Sequence, residues 1–337
     1  MRLSVLDQSP VRAGGTPAEA LANTVALARL AEQHGYRRYW LAEHHNTTSF
    51  AGSAPEIMIA RVAEATSRIR VGSGGVMLSH YAPLKVAEQF RVLEALYPGR
   101  IDLGIGRAPG ADPKTAVALQ AGPQAWGQDA FPSQVALVRA FLEDAAGMPV
   151  FGERHPFRGV HASPRGPGVP EMWLLGSGVH SAVYAAELGL GYAHAHFIGP
   201  DTAEAAVEAY RARFRPGPFA APQVAVACFA LAAATTVEAE RLAATRNLWV
   251  LQLLQNRAGP FPSPEEALAY PYTDDERRAI AGIKARGFTG TAGDVADRLR
   301  ELSGALGADE IAILTITYDE TARRESYRLL AEAFGIG

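Results

Sequence analysis

The feature that most narrows the folds open to this 337-residue chain is an alternation kept from end to end: short apolar runs, each followed by a segment with helical spacing and helix-boundary residues. Repeated βα units of this kind build a parallel sheet, because a parallel neighbour is reached only through a long crossover, usually a helix. Strand-like runs fall at residues 3–6, 38–42, 69–78, 100–106, 172–178, 191–197, 223–233 and 310–318. Helical patterns follow near 17–33, 55–67, 83–97, 133–146, from 181 onward, 203–213, 237–255 and 320–334. The first of these opens with Thr16-Pro17-Ala18-Glu19, in which Thr16 can cap the first turn, Pro17 suits the first helical position and Glu19 can reach back to the cap. Eight such units without a domain-splitting linker fit closure into a TIM-type (β/α)8 barrel better than an open doubly wound sheet. A single barrel domain over residues 1–337 is the expectation. Two Pro- and Gly-rich stretches, at about 147–171 and 256–290, stand outside the repeat and are expected to be lids or added substructures.

Composition narrows the partners. The net charge is −3 and no basic block occurs, which argues against nucleic acid or an anionic membrane as the main partner. No apolar run approaches the roughly 18 residues of a membrane span, and the N-terminus reads directly into a strand; a cytoplasmic location is expected. Cys228 is the one cysteine, so neither an intrachain disulfide nor a thiolate metal cluster can form.

Barrels of this type carry their active sites at the C-terminal ends of the strands. Glu43, His44 and His45 end the second strand, Gly104 to Gly110 the fourth, Gly176 to Ser181 the fifth, and His194 and His196 the sixth. Gly176-Ser177-Gly178 runs straight into a helix. Its freed N–H groups, the Ser177 hydroxyl and the positive helix end would hold a phosphate, or the turn is a plain βα connection. Arg107, on the neighbouring strand end, can add a bidentate contact to the same phosphate, or pair on the surface with a carboxylate. Gly72-Ser73-Gly74-Gly75 interrupts a Val- and Leu-rich strand, which signals a bulge or the close approach of a flat ligand. A phosphate-tailed aromatic cofactor across the mouth would use all three features.

The stretches WLAEHHN (40–46), RIRVGSGGVML (68–78), PLKVAEQFRVLEALYPGRIDLGIGRAPG (83–110) and LLGSG (174–178) together resemble the bacterial luciferase-like flavin monooxygenases, in their single-chain, functionally unassigned branch. The resemblance implies a barrel that binds reduced FMN, which reacts with O2 to a flavin peroxide that oxidises a small organic substrate. It implies that His44 is the active-site histidine beside the flavin ring, that Arg107 with Gly176, Ser177, Gly178 and Ser181 binds the phosphate, and that Gly74–Gly75 forms a cis peptide under the ring. It also implies a homodimer. A deazaflavin presents the same phosphate and planar ring. Without a nucleotide-binding half in the chain, reduced flavin is expected from a separate flavin reductase. Gly106 stands where light-emitting luciferases carry a cysteine, which does not fit light emission. Residues 256–290 would then cover the flavin.

Of the neighbours of His44, His45 is expected to bond within its loop, and Glu43 either to orient those around it or to pair with an arginine. Two other readings stay open. His44, His45, His80, His194, His196 and Asp319 all map near strand ends, so a metal-dependent hydrolase is one. A flavin-binding protein without turnover is the other.

Overall fold

The computed structural model describes residues 1–108, 110–119 and 130–337. Its strands are β1 (Arg2–Asp7), β2 (Arg38–Leu41), β3 (Arg70–Met77), β4 (Ile101–Gly106), β5 (Glu171–Gly176), β6 (Gly191–Ala195), β7 (Val224–Ala233), β8 (Phe288–Thr291) and β9 (Glu310–Leu314). Its helices are α1 (Pro17–Gln33), α2 (Pro55–Glu64), α3 (Pro83–Leu96), α4 (Pro113–Leu119), α5 (Phe131–Ala145), α6 (Val179–Glu187), α7 (Ala203–Arg213), α8 (Thr236–Leu254), α9 (Pro264–Ala269), α10 (Asp274–Ala285), α11 (Ala292–Leu306) and α12 (Glu320–Phe334). All strand pairings are parallel, and β1 to β7 close through β9 into the expected eight-stranded barrel. Thr16 and Glu19 form the capping box that starts α1. Among the described residues, no helix is long and apolar enough to cross a membrane.

Three segments differ from the sequence expectation. β8 is a ninth strand, paired with Ala230–Ala233 of β7, where that long strand has run past its pairing with β9; α11 follows it, in a stretch assigned no element from sequence. The last barrel strand ends at Leu314 rather than at 318. Residues 147–171 form no lid: they lead into the start of β5, and Arg91 of α3 donates to the carbonyls of Pro164 and Gly166 at 3.0 and 2.8 Å, and to that of Gly168. Connections that enter strand starts lie at the barrel end opposite the site.

Alternation along each strand sends one set of side chains out to the helices and the other into the bore. On β2, Tyr39 and Leu41 join the layer between strands and helices, whereas Trp40 joins the interior cluster with Leu6, Trp173, Ala225, Ala312 and Leu314. The bore fills in tiers. At its base Arg38 sits 2.7 Å from both Asp102 and Glu310, and Arg70 sits 2.6 Å from Asp102. Burial lowers the Arg38 pKa, but Asp102, Glu310 and Glu171 outweigh it and raise it above the ordinary arginine value. Above this lies a tryptophan tier, with the Trp40 and Trp173 rings 5.4 Å apart and the Arg38 guanidinium 4.8 Å from the Trp173 ring. Glycines make room for the tryptophans: a Cβ on Gly191 would stand 2.5 Å from the Trp173 ring, and one on Gly74 would stand 2.9 Å from Trp40 Cβ. The uppermost inward positions are Ala42, Gly74, Gly106, Ala195 and Ala227, too small to fill the mouth, and a cavity remains.

Candidate active site at the barrel mouth

That cavity, of about 400 Å³, is floored by Leu6 and Trp40 and opens beside a second one of about 730 Å³. Both volumes lie in the range of small-molecule sites. Gln8, His44, Gly110, Phe197 and Ile198 line both. Every residue that the flavin reading assigned from sequence lines the smaller cavity: His44, Gly74, Gly75, Arg107, Gly176, Ser177, Gly178 and Ser181. The register of β3 against β4 breaks between Ser73 and Val76, so the glycine-rich stretch is a bulge, and the Gly74–Gly75 peptide within it is cis.

One end of the cavity suits an anion. β5 ends at Gly176 and α6 begins at Val179, with Gly178 as an N-cap that offers no side chain, so the first-turn N–H groups lack a side-chain cap. Residue 176 must be glycine, since a Cβ there would lie 1.9 Å from Ser181 Oγ. Ser181 Oγ donates to the Gly178 carbonyl at 2.9 Å and so braces the turn. Arg107 is exposed at the end of β4 and forms no ion pair with a described residue. A helix N-terminus and an uncommitted guanidinium thus face one cavity, an arrangement that attracts phosphate.

The stretch that holds His44 is fixed through its neighbours. Glu43 is buried; its carboxylate accepts from the Met77 N–H at 2.9 Å, the Tyr81 hydroxyl at 2.7 Å and His45 Nε2 at 2.7 Å. Glu43 therefore orients its neighbours rather than pairing with an arginine, and His45 bonds within the loop. The backbone N–H groups of His44 and His45 donate to Gly52 and Gly110 at 2.8 and 3.0 Å, which ties the stretch to the loop after β4. The His44 ring lies 4.5 Å from that of Phe50, and its Nδ1 is buried with no hydrogen-bond partner among the described residues. Burial first, and then the neighbouring His45, push the His44 pKa down to about 4, so the ring is neutral at ordinary pH.

This shift has a sign for stability. Between the ordinary value of 6.5 and about 4 the unfolded chain carries a proton that native His44 refuses, so its contribution is full above 6.5 and is lost as pH falls through that window. His44→Gln is expected to shrink the difference in urea midpoint between pH 7 and pH 5. Equal differences in both proteins would show that the native imidazole titrates normally.

The histidines of the metal reading do not converge. His194 is buried, with Nδ1 2.9 Å from the Tyr192 hydroxyl and Nε2 2.9 Å from the Gly199 carbonyl, and His45 is held by Glu43. Among the described residues, no three His, Cys, Asp or Glu side chains are grouped to hold a metal ion. Of residues 256–290, α9 and α10 pack against α8 through Leu248, Leu251, Ala267 and Ile283, away from the mouth. Only the first few of these residues reach it: Asn256 and Ala258 line the larger cavity, and the Phe261 N–H donates to Val11 at 2.9 Å.

Sequence reasoning missed Gln8, Phe50, Arg246 and Trp249, which also line the cavities. Gln8 continues the inward alternation of β1 two residues past Leu6, a signal that was available. Arg246 and Trp249 come from α8, where strand-end logic does not look.

The sequence matches the family described as luciferase-like monooxygenase over residues 1–310. It is 45% identical to the Bacillus subtilis (strain 168) protein YceB over 335 residues, 99% of each chain. It is 38% identical to the N-acetyl-S-alkylcysteine monooxygenase of the same organism over 335 residues, 99% of this chain and 98% of that one. The crystal structure of apo-MsnO8 superimposes with a TM-score of 0.89 at 42% identity, covering 100% of this chain and 99% of the other.

Proposed function

Because the chain belongs to the luciferase-like monooxygenase family, we propose that it is an FMN-dependent monooxygenase acting on a small organic substrate. The observation that carries the reading is convergence: one cavity gathers a glycine-lined wall, an exposed arginine beside an uncapped helix start, and a neutral histidine with an unpartnered nitrogen. These features fit a planar ring with a phosphate tail. The small inward residues Ala42, Gly74, Gly75 and Gly106 leave room for the ring, and Arg107 with residues 176–181 holds the phosphate. When bound, reduced FMN supplies the electrons that activate O2.

The protein's own tasks are narrower. His44, between the two cavities, holds or passes a proton toward whatever occupies the larger one. Phe50, Phe197 and Trp249 keep water from that space. A separate reductase as the source of reduced flavin, and a homodimer, belong to the same proposal. The similarity to N-acetyl-S-alkylcysteine monooxygenase makes N-acetyl-S-alkylcysteines the first substrates to try.

The test is an absorbance spectrum of the purified protein, followed by titration with FMN, riboflavin and a deazaflavin. Saturable binding of FMN, tighter than of riboflavin, is expected. No affinity for any of the three would overturn the reading, and a preference for the deazaflavin would replace the cofactor.

A further inference from the structure

Resting on that reading, we propose that Arg246 selects substrates carrying a carboxylate, with an apolar body lodged between the carboxylate and the flavin cavity. Arg246 is only 7% exposed, on α8 in the wall of the larger cavity. A buried guanidinium is ordinarily paired with an acid. This one is not. Nη1 makes two long contacts to neutral acceptors, Asn247 Oδ1 at 3.3 Å and the Ile283 carbonyl at 3.5 Å, and Nε and Nη2 donate to no described residue. No carboxylate of a described residue lies within ion-pair distance, in contrast to Arg38, Arg70 and Arg323, which are all paired. The guanidinium carbon lies over the Phe229 ring, 4.0 Å from its centre, which holds the group beside the cavity.

The surroundings say what would complete it. Phe50, Trp249, Val250, Leu314 and Ile316 line the same cavity and suit an apolar body. Among the described residues its one lining carboxylate, Asp112, is occupied by Asn46 at 2.8 Å and by the start of α4. A planar carboxylate matches the free edge of the guanidinium and would take two parallel hydrogen bonds. His44 lines the same cavity, so a substrate anchored at Arg246 extends toward the flavin site.

The experiment is calorimetric titration of the full chain, with and without saturating FMN. The probes are two matched pairs: N-acetyl-S-benzylcysteine with its carboxamide, and octanoate with octanamide. At least one acid is expected to bind about tenfold or more tighter than its amide, the size of a charge-assisted bond. Arg246→Met should abolish the preference and Arg246→Lys should restore part of it, with FMN affinity unchanged in both. If Arg246 merely tied α8 to α10, the variants would lower the melting temperature and leave the acid-to-amide ratio as it was. That result, or acids binding no better than amides in both pairs, overturns the inference. The flavin-free titration keeps it separate from the functional reading, which fails instead when FMN itself does not bind.

Discussion

Replacement of His44 by alanine is expected to slow substrate oxidation by roughly 10²- to 10⁴-fold, the usual worth of a positioned acid or base, with little change in FMN affinity. The histidine lines both cavities, so it borders both the proposed flavin and whatever is oxidised. Its Nδ1 is buried with no partner among the described residues, an arrangement that costs stability. With its pKa pushed down to about 4 the ring stays neutral across the physiological range, so its two nitrogens offer one donor and one acceptor, and it relays a proton rather than storing one. Loss of the imidazole removes that group but none of the backbone proposed to hold the phosphate. Single-turnover measurements on protein loaded with reduced FMN would read the effect directly. Wild-type rates in His44→Ala would rule out the proton role, and a collapse of FMN affinity would reassign the residue to cofactor binding.

The second large effect is expected at Arg107. Its alanine variant should bind FMN about ten- to a hundredfold more weakly, as befits the loss of charged hydrogen bonds to a phosphate, while riboflavin binding should not change. The comparison isolates the tail from the ring. Arg107 is exposed and has no ion pair with a described residue, so its removal breaks no internal network. Rising salt should weaken FMN binding in the wild type more than in the variant. Equal loss of FMN and riboflavin would place the arginine's effect on loop structure rather than on the phosphate.

How far the fold could be read from sequence depended on the physics behind each segment. The eight barrel strands were legible because burial on both sides makes them continuous apolar runs, and the helices because Pro17, Pro55 and Pro83 mark their starts. β8 was not legible. Its four residues, Phe-Thr-Gly-Thr, are strand only because the overhanging half of β7 offers them a partner. The place of residues 147–171 was recoverable in principle, since any excursion that enters a strand start lies away from the mouth. At the site, His44, Arg107 and the glycine turns were visible because strand ends have a known use. Arg246 was hidden because on a helix it reads as one more surface arginine; its burial with neither an acid nor the close carbonyls that hold Arg91, a tertiary fact, sets it apart.

The tiers beneath the mouth carry a consequence for traffic. With ion pairs and indoles stoppering the base, the described residues form a cup rather than a pipe. Whatever is too bulky to seep through packed protein must come and go over a single rim, so a spent molecule lingering there blocks the next arrival, and the speed of emptying sets a ceiling on turnover.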